Sequence, residues 1–436
     1  MTKISDMSKY LSISLSIAIF LVFWYTLLND TLNVPSFDDY DATLGFIKQF
    51  YFDGQSFSDR ISLLFVRHNE HRILLSKLTA AGYFAIFREV NFAHLVIIQN
   101  LFLLGFFGIT VSLFNKEKQL TSPVFLFITA FLFGFSFWQV SFYYWAGIQH
   151  YTVFFFSFAS LIVLDKTEKL VSFHFALAII LIIFAVFSFV NGFLALLLGA
   201  FLLFAQKKYT IFSAWIIISL VLLIITFFAG IQLNRQLPVT FNIEWMVRLL
   251  LTFIGSFLYT GTSLVRYENI IVCMIAGAMV LIFWIYLFFS GYAFRKPLLY
   301  SLFSLPVLTG IIISISRFET KAAGGIAPRY MFFTATIPVL LLLILLDMKI
   351  VKKVYLNYLT AIVVLLWGAG YYNNLNALKY TNDEIVTNVI KWKHDKSVPL
   401  VYFQDTENYS LILQWAINQH VVQNRIYINS IRSNYK

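Results

Sequence analysis

The sequence predicts an all-α polytopic membrane protein of about eleven transmembrane helices with a cytoplasmic N-terminus. Three observations carry that reading. The chain of 436 residues is 60% hydrophobic and 12% charged, about half the charge density of soluble domains. Several uncharged runs reach about 18 residues, enough to cross ~30 Å of hydrocarbon as helix. Lysines recur in the short connectors between those runs, as positive residues do on the inner side of a membrane. The net charge of +11 would suggest nucleic acid in a soluble chain. Here topology absorbs most of the excess, so the expected surroundings are membrane lipids and no nucleic acid. The single cysteine, Cys273, excludes an intramolecular disulfide and a cysteine metal site.

The first span is 10–28. The preceding MTKISDMSK carries two lysines, like the n-region of a signal peptide, but no small-residue cleavage site follows. The run therefore reads as an uncleaved span. Further spans fall at 92–114, 121–142, 148–164, 171–189, 192–205, 209–230, 270–290, 298–316, 330–346 and 354–371. The 171–205 run makes two spans only by turning at Asn191 and Gly192. With the N-terminus inside, the inner segments hold Lys3 and Lys9, Lys116 and Lys118, Lys166 and Lys169, Lys207 and Lys208, Arg295 and Lys296, and Lys349, Lys352 and Lys353. Only five of the 21 acids fall there: Asp6, Glu117, Asp165, Glu168 and Asp347.

The outer segments are then long: about 29–91, 231–269, 317–329 and the tail 372–436, with the remaining sixteen acids. Chemistry is expected on this side, away from ATP and nucleotide sugars. In the first loop, Leu44, Phe46, Ile47, Phe50 and Tyr51 suit a helix lying on the membrane surface. Residues 72–87, interrupted by Lys77, read as a second interfacial or partly embedded helix. Arg248 within 244–261 favours a surface or re-entrant helix. The tail reads as helix (TNDEIVTNVIKWKH), strand (VPLVYF), helix (ENYSLILQWAINQHV) and strand (RIYIN), a small α/β unit on the outer side. Two domains follow: a transmembrane part, 1–371, and the tail, 372–436.

Four clusters could carry chemistry. "PSFDDYDATLGF" (35–46) places Asp38, Asp39 and Asp41 where the first span ends. Ser36 followed by Asp39 fits a capping box, and acids suit a helix N-terminus. Three carboxylates exceed that need, and like charges so close raise each other's pKa. A partly desolvated carboxylate is a general base for a hydroxyl. "RHNEHRI" (67–73) packs Arg67, His68, Glu70, His71 and Arg72 into six residues. It reads as a substrate-binding polar cluster, as a solvated interfacial patch, or as two histidines and a carboxylate on a metal. In "SRFETKAAGGIAPRYMFF" (316–333), Arg317, Lys321 and Arg329 bracket a small-residue turn, and Tyr330 follows Arg329. A guanidinium at headgroup depth grips phosphate with two hydrogen bonds, although snorkelling to lipid headgroups explains it as well. "YYWAGIQHY" (143–151) sets Gln149 and His150 among interfacial aromatics, which also stack on sugar faces. No Walker, GxSxG, HExxH, CxxC or GxGxxG motif occurs. No span interior carries a clear ionisable residue, as ion-coupled transporters require.

A first span, a long outer loop opening with "DDYD" (38–41), many further spans and a small outer tail together resemble the GT-C superfamily of membrane glycosyltransferases. The "NEHR" (69–72) and "PRY" (328–330) stretches look like those of bacterial members, most similar in size to the serotype-converting O-antigen glucosyltransferases. The resemblance is architectural over the whole chain and rests on short motifs. It implies a bacterial inner-membrane enzyme with a periplasmic site. It implies inverting transfer of a hexose from a polyprenyl-phosphate sugar to a glycan acceptor, O-antigen or another surface polysaccharide. One of Asp39 and Asp38 would be the base, with Asp41 in the same acidic motif. His68, Glu70, His71, Arg72, Gln149, His150, Arg317, Arg329 and Tyr330 would hold substrate. Metal use differs within the superfamily, so a divalent ion at Asp38, Asp39 and His71 stays open. Functional partners would be a polyprenyl-phosphate glycosyltransferase and a small flippase. Two alternatives remain: a flippase or transporter of lipid-linked glycans, and an O-antigen polymerase or ligase.

Overall fold

The structure is a computed structural model and describes residues 2–68, 72–228, 242–261, 266–317, 327–401 and 406–423. In chain order its helices are α1 (Thr2–Asp30), α2 (Phe57–Phe65), α3 (Leu74–Phe87), α4 (Phe92–Lys116), α5 (Ser122–Leu132), α6 (Trp138–Phe142), α7 (Tyr144–Asp165), α8 (Phe173–Ser188) and α9 (Gly192–Ala205). Then come α10 (Tyr209–Phe228), α11 (Ile243–Ile254), α12 (Arg266–Phe289), α13 (Tyr292–Arg295), α14 (Pro297–Arg317), α15 (Met331–Asp347), α16 (Leu356–His394) and α17 (Thr406–Asn418). The chain is a multi-pass, all-α membrane protein.

Two expectations are corrected. Seven helices, not about eleven, are long and apolar enough to cross a membrane by length and composition among the described residues: α1, α4, α7, α10, α12, α14, and α15 together with the 3-10 turn that leads into it, Pro328–Asp347. The turn at Asn191 and Gly192 forms, but α8 and α9 have 16 and 14 residues. At 1.5 Å per residue they reach about 24 and 21 Å, short of ~30 Å. The 121–142 run breaks after α5, which has 11 residues. The carbonyl of Phe133 freed there accepts from Trp367 Nε1 (3.0 Å). The 354–371 run is the start of α16, a helix of 39 residues that continues past the expected domain boundary to His394.

The α/β tail is the second correction: no β-strand forms among the described residues. Residues 398–401 follow a turn in which Val398 N–H donates to the Asp395 carbonyl (3.1 Å). Leu400 and Val401 are buried in the helical core, and Trp392 Nε1 donates to Ser410 Oγ of α17 (2.8 Å). An apolar segment becomes a strand only with a neighbour to pair, and here its neighbours are helices. The second expected strand, 425–429, lies outside the described residues.

The first-loop segment sits differently from the expectation of a surface helix, whereas α11 is no crossing helix, as expected. Leu44, Phe46 and Ile47 are buried, in a pair of π-helical turns, Asp39–Gly45 and Lys48–Phe52, and the link between them. Helix α11 packs antiparallel against α12. A Cβ on Gly255 would collide with the Cys273 carbonyl, and one on Gly277 with that of Leu251. Small residues permit such backbone approach. Arg248 is neutralised within α11 by Glu244, 2.5 Å away and one turn earlier.

Contacts between helix termini define two ends of the bundle. At one, Lys116 pairs with Asp165 (3.3 Å), Lys208 with Glu168 (3.2 Å), and Lys296 with Glu117 (2.9 Å) and Asp347 (3.1 Å). At the other, the segment after α1 meets α7, α17 and the residues before α3. The three expected acids lie at this second end.

Candidate functional site

Local chemistry divides the three aspartates. Asp39 is 1% exposed. One carboxylate oxygen accepts from Ser36 N–H and Ser36 Oγ (both 3.2 Å), and the other from Thr43 Oγ1 (3.3 Å). Asp39 thus reaches back to Ser36 as in a capping box, but its own N–H donates to the Ser36 carbonyl (3.0 Å) and not to the hydroxyl, so only half of that motif forms. Burial pushes its carboxyl well above the usual range. Asp38 and Asp41 are partly exposed and flank His68: Asp38 Oδ2 is 3.7 Å from Nε2, and Asp41 Oδ2 is 3.7 Å from Nδ1. These are ion-pair distances, longer than hydrogen bonds. Asp41 Oδ1 accepts from Ala42 N–H (3.0 Å) and from Tyr409 Oη (3.2 Å). Burial raises the Asp41 pKa, and the charge of His68 opposes that rise.

Phe37 immediately precedes this triad and has φ +49°. That left-handed conformation costs a bulky residue of order 1–3 kcal/mol and persists where packing holds it. The Phe37 ring packs on Trp145 (5.1 Å) and Tyr143 (6.3 Å) of α7 and its N-cap. Tyr409 stacks on Tyr40 (5.2 Å, 20°), so α17 braces the acidic turn from behind.

Trp145 links the triad to a second group. The Arg329 guanidinium lies 5.9 Å from the Trp145 ring and 5.0 Å from the Tyr330 ring. Tyr330 is 6.0 Å from His150, whose ring also meets Phe189 (4.9 Å) and Phe333 (5.1 Å). Phe189, at the tip of the short α8–α9 hairpin, packs under this group against His150. His150 is buried, with Nδ1 against the Ala146 carbonyl (2.5 Å). The Gln149 side chain donates to the Trp145 carbonyl one turn back (2.8 Å).

The cations near α3 hold helix ends. Carbonyls in the last turn of a helix lack partners within it, and cations suit that end of the dipole. Arg72 donates to Phe65 O (2.6 Å) at the end of α2, and to Ile225 O (3.3 Å) and Thr226 O (3.2 Å) at the end of α10. Arg67 also donates to Thr226 O (2.6 Å). Lys77, 5% exposed, donates to Leu63 O (2.8 Å) and Val66 O (2.7 Å). Burial, with Arg72 adding, pushes the Lys77 pKa down to about 8. Burial and then Arg67 lower that of Arg72.

Of the residues singled out from sequence, Asp38, Asp41 and His68 meet directly, while Arg329, Tyr330 and His150 form a second group whose Trp145 stacks on Phe37, the residue before Asp38. Arg72 is spent on the ends of α2 and α10, and Arg317 is the last residue of α14. Glu70, His71 and Lys321 lie outside the described residues. No group of three His, Cys, Asp or Glu residues able to hold a metal occurs among the described residues, and Asp39 has both oxygens engaged. Sequence reasoning missed Phe37, Trp145 and Tyr409. The first is marked only by its backbone, and Tyr409 is 368 positions from Asp41. No protein-family model, characterised protein or solved structure matches the chain.

Proposed function

We propose that the chain is a GT-C-like membrane glycosyltransferase. In this reading it transfers a hexose from a polyprenyl-phosphate donor to a glycan acceptor, O-antigen or another surface polysaccharide. The lysine-rich end faces the cytoplasm by the positive-inside rule, and the acidic end faces the periplasm of a bacterial inner membrane. The observation that supports the reading is the pairing of Asp38 and Asp41 with His68, linked to Arg329 and Tyr330 only through the stacking of Phe37, the residue before Asp38, on Trp145, at the end away from the paired lysines.

Asp38 or Asp41 acts as the base, because both are partly exposed while Asp39 is sealed by Ser36 and Thr43. The acceptor hydroxyl oxygen bonds to the anomeric carbon as the bond from that carbon to the phosphate oxygen breaks. The hydroxyl proton passes to the carboxylate, and the lipid phosphate leaves with its electron pair. A single displacement inverts the anomeric centre. Arg329 balances charge on the departing phosphate, an effect worth a few kcal/mol in enzymes.

The test is sugar transfer by purified protein in lipid, with labelled polyprenyl-phosphate hexose and a glycan acceptor. Wild type should transfer, and Asp38→Asn or Asp41→Asn should lower the rate at least ~100-fold, the typical scale of general base catalysis. Movement of the donor across liposomes without acceptor, and no transfer with it, would replace this reading with a flippase.

A further inference from the structure

Helix α2 has three faces. At about 3.6 residues per turn, Phe57, Ile61 and Phe65 fall on one stripe, Ser58, Asp59 and Ser62 on a second, and Leu63 and Leu64 on a third. The third packs against the core. The other two are exposed side by side: Phe57 is 81%, Ile61 43% and Phe65 37% exposed, and Ser58, Asp59 and Ser62 are exposed as well. One stripe suits an apolar solvent and the other suits water.

The depth of α2 is fixed by what holds its C-terminal end. Arg72 joins Phe65 O (2.6 Å) to Ile225 O (3.3 Å) and Thr226 O (3.2 Å), and Thr226 ends the membrane-spanning part of α10, Tyr209–Thr226. Lys77 donates to Leu63 O and Val66 O. The carbonyl of Ser76 beside it accepts from Tyr144 Oη (2.7 Å), on the first residue of α7, another span. The end of α2 is therefore level with the ends of two spans, at the acidic end of the bundle. Phe65 packs on Phe187 of α8 (5.4 Å), and Ile224 and Ile225 of α10 are exposed at the same end, where a span faces lipid. The apolar stripe runs the whole length of α2, so an upright helix would lift Phe57 into water. A helix lying in the plane of the membrane surface suits both stripes.

We infer that α2 is a membrane-surface anchor, seated in the lipid leaflet at the acidic end of the bundle. Phe57, Ile61 and Phe65 insert among the acyl chains, and Ser58, Asp59 and Ser62 face headgroups and water. The surface role expected of the segment holding Leu44, Phe46 and Ile47, which are buried, falls to this helix. His68 follows Phe65 by three residues. The anchor thus sets the level at which the imidazole meets Asp38 and Asp41.

The test uses the full chain with Cys273→Ala in vesicles of phosphatidylethanolamine and phosphatidylglycerol. One nitroxide at a time is placed on Phe57→Cys, Ile61→Cys, Ser58→Cys or Ser62→Cys. Spin relaxation by oxygen, which partitions into lipid, and by a water-soluble nickel chelate reads the surroundings, and neither depends on transferase activity. Positions 57 and 61 should relax faster with oxygen, and positions 58 and 62 faster with nickel. Ile61→Cys carries this arm if Phe57→Cys fails to fold. In a second arm, a nitroxide on Val66→Cys should become more mobile in vesicles when Phe57→Ser and Ile61→Ser are added, with thermal unfolding in detergent unchanged. Nickel outpacing oxygen at 57 and 61 would put the stripe in water. Shielding of both positions from both reagents would mean that protein covers it, from this chain or from a second copy. Either result, or unchanged mobility at Val66, would overturn the inference.

Discussion

Replacing Gly255 by alanine should loosen the α11–α12 contact in a way the protein itself reports. A Cβ at position 255 would overlap the Cys273 carbonyl and crowd Gly277 N. These are backbone atoms, so the helices must separate. Overpacking of this kind costs about 1–3 kcal/mol, which multiplies the equilibrium for opening the contact by about 5 to 150. Cys273 is the only cysteine in the chain and is 0% exposed. Its labelling by a thiol-reactive fluorophore, in detergent under native conditions, reads that opening. Gly255→Ala should label about 5- to 150-fold faster than wild type and melt at lower temperature. Gly108→Ala is the control, because a Cβ there meets nothing within 4 Å. If Gly255→Ala labels and melts like wild type, α11 does not pack against α12 as described.

Asp39→Asn should keep both fold and transfer, because the amide oxygen can still accept from Ser36, whereas Asp39→Ala should cost about 1–3 kcal/mol of stability by leaving buried Ser36 without its acceptor; thermal unfolding and transfer assays separate the two. Tyr409→Phe removes a hydrogen bond to Asp41 that favours the carboxylate. A base must be ionised, so activity is lost as pH falls through its pKa; the acid limb of the pH–rate profile should move to higher pH in this variant, and likewise in His68→Gln. Lys77 has a folded pKa of about 8 against an ordinary lysine value of 10.5. The unfolded chain therefore binds more protons between these values, and stability rises with pH there. Between pH 7.5 and 9.5 wild type should gain about 2 kcal/mol relative to Lys77→Met, measured by denaturant unfolding at both pH values.

The seven long spans were visible in sequence because uncharged runs and lysine pairs mark their ends. Residues expected to share a side do pair across one end: Lys116 with Asp165, Lys296 with Glu117 and Asp347. Composition could not reveal that the 121–142 run breaks, since aromatic residues on both sides of the break are equally apolar. Nor could it show that α16 passes beyond the last apolar run without interruption, because a helix in water and one in lipid share a period. The first tail strand did not form over its described residues, 398–401, for want of a partner, a property of tertiary packing. Within the site, the pairing of Ser36 with Asp39 was legible from spacing, although only the half in which Asp39 accepts from Ser36 forms. Its consequence, that this acid is the sealed one, required the burial of Asp39. Tyr409 reaches Asp41, and Trp145 reaches Phe37, from distant segments, and no local pattern announces such contacts.

The most direct measurement is the transfer rate of Asp38→Asn, Asp41→Asn and Asp39→Asn side by side, with donor binding measured on the same preparations. The account predicts that Asp38→Asn or Asp41→Asn loses at least ~100-fold in rate while still binding polyprenyl-phosphate hexose, and that Asp39→Asn stays near wild type. Wild-type transfer by both Asp38→Asn and Asp41→Asn, or a loss confined to Asp39→Asn, would contradict it.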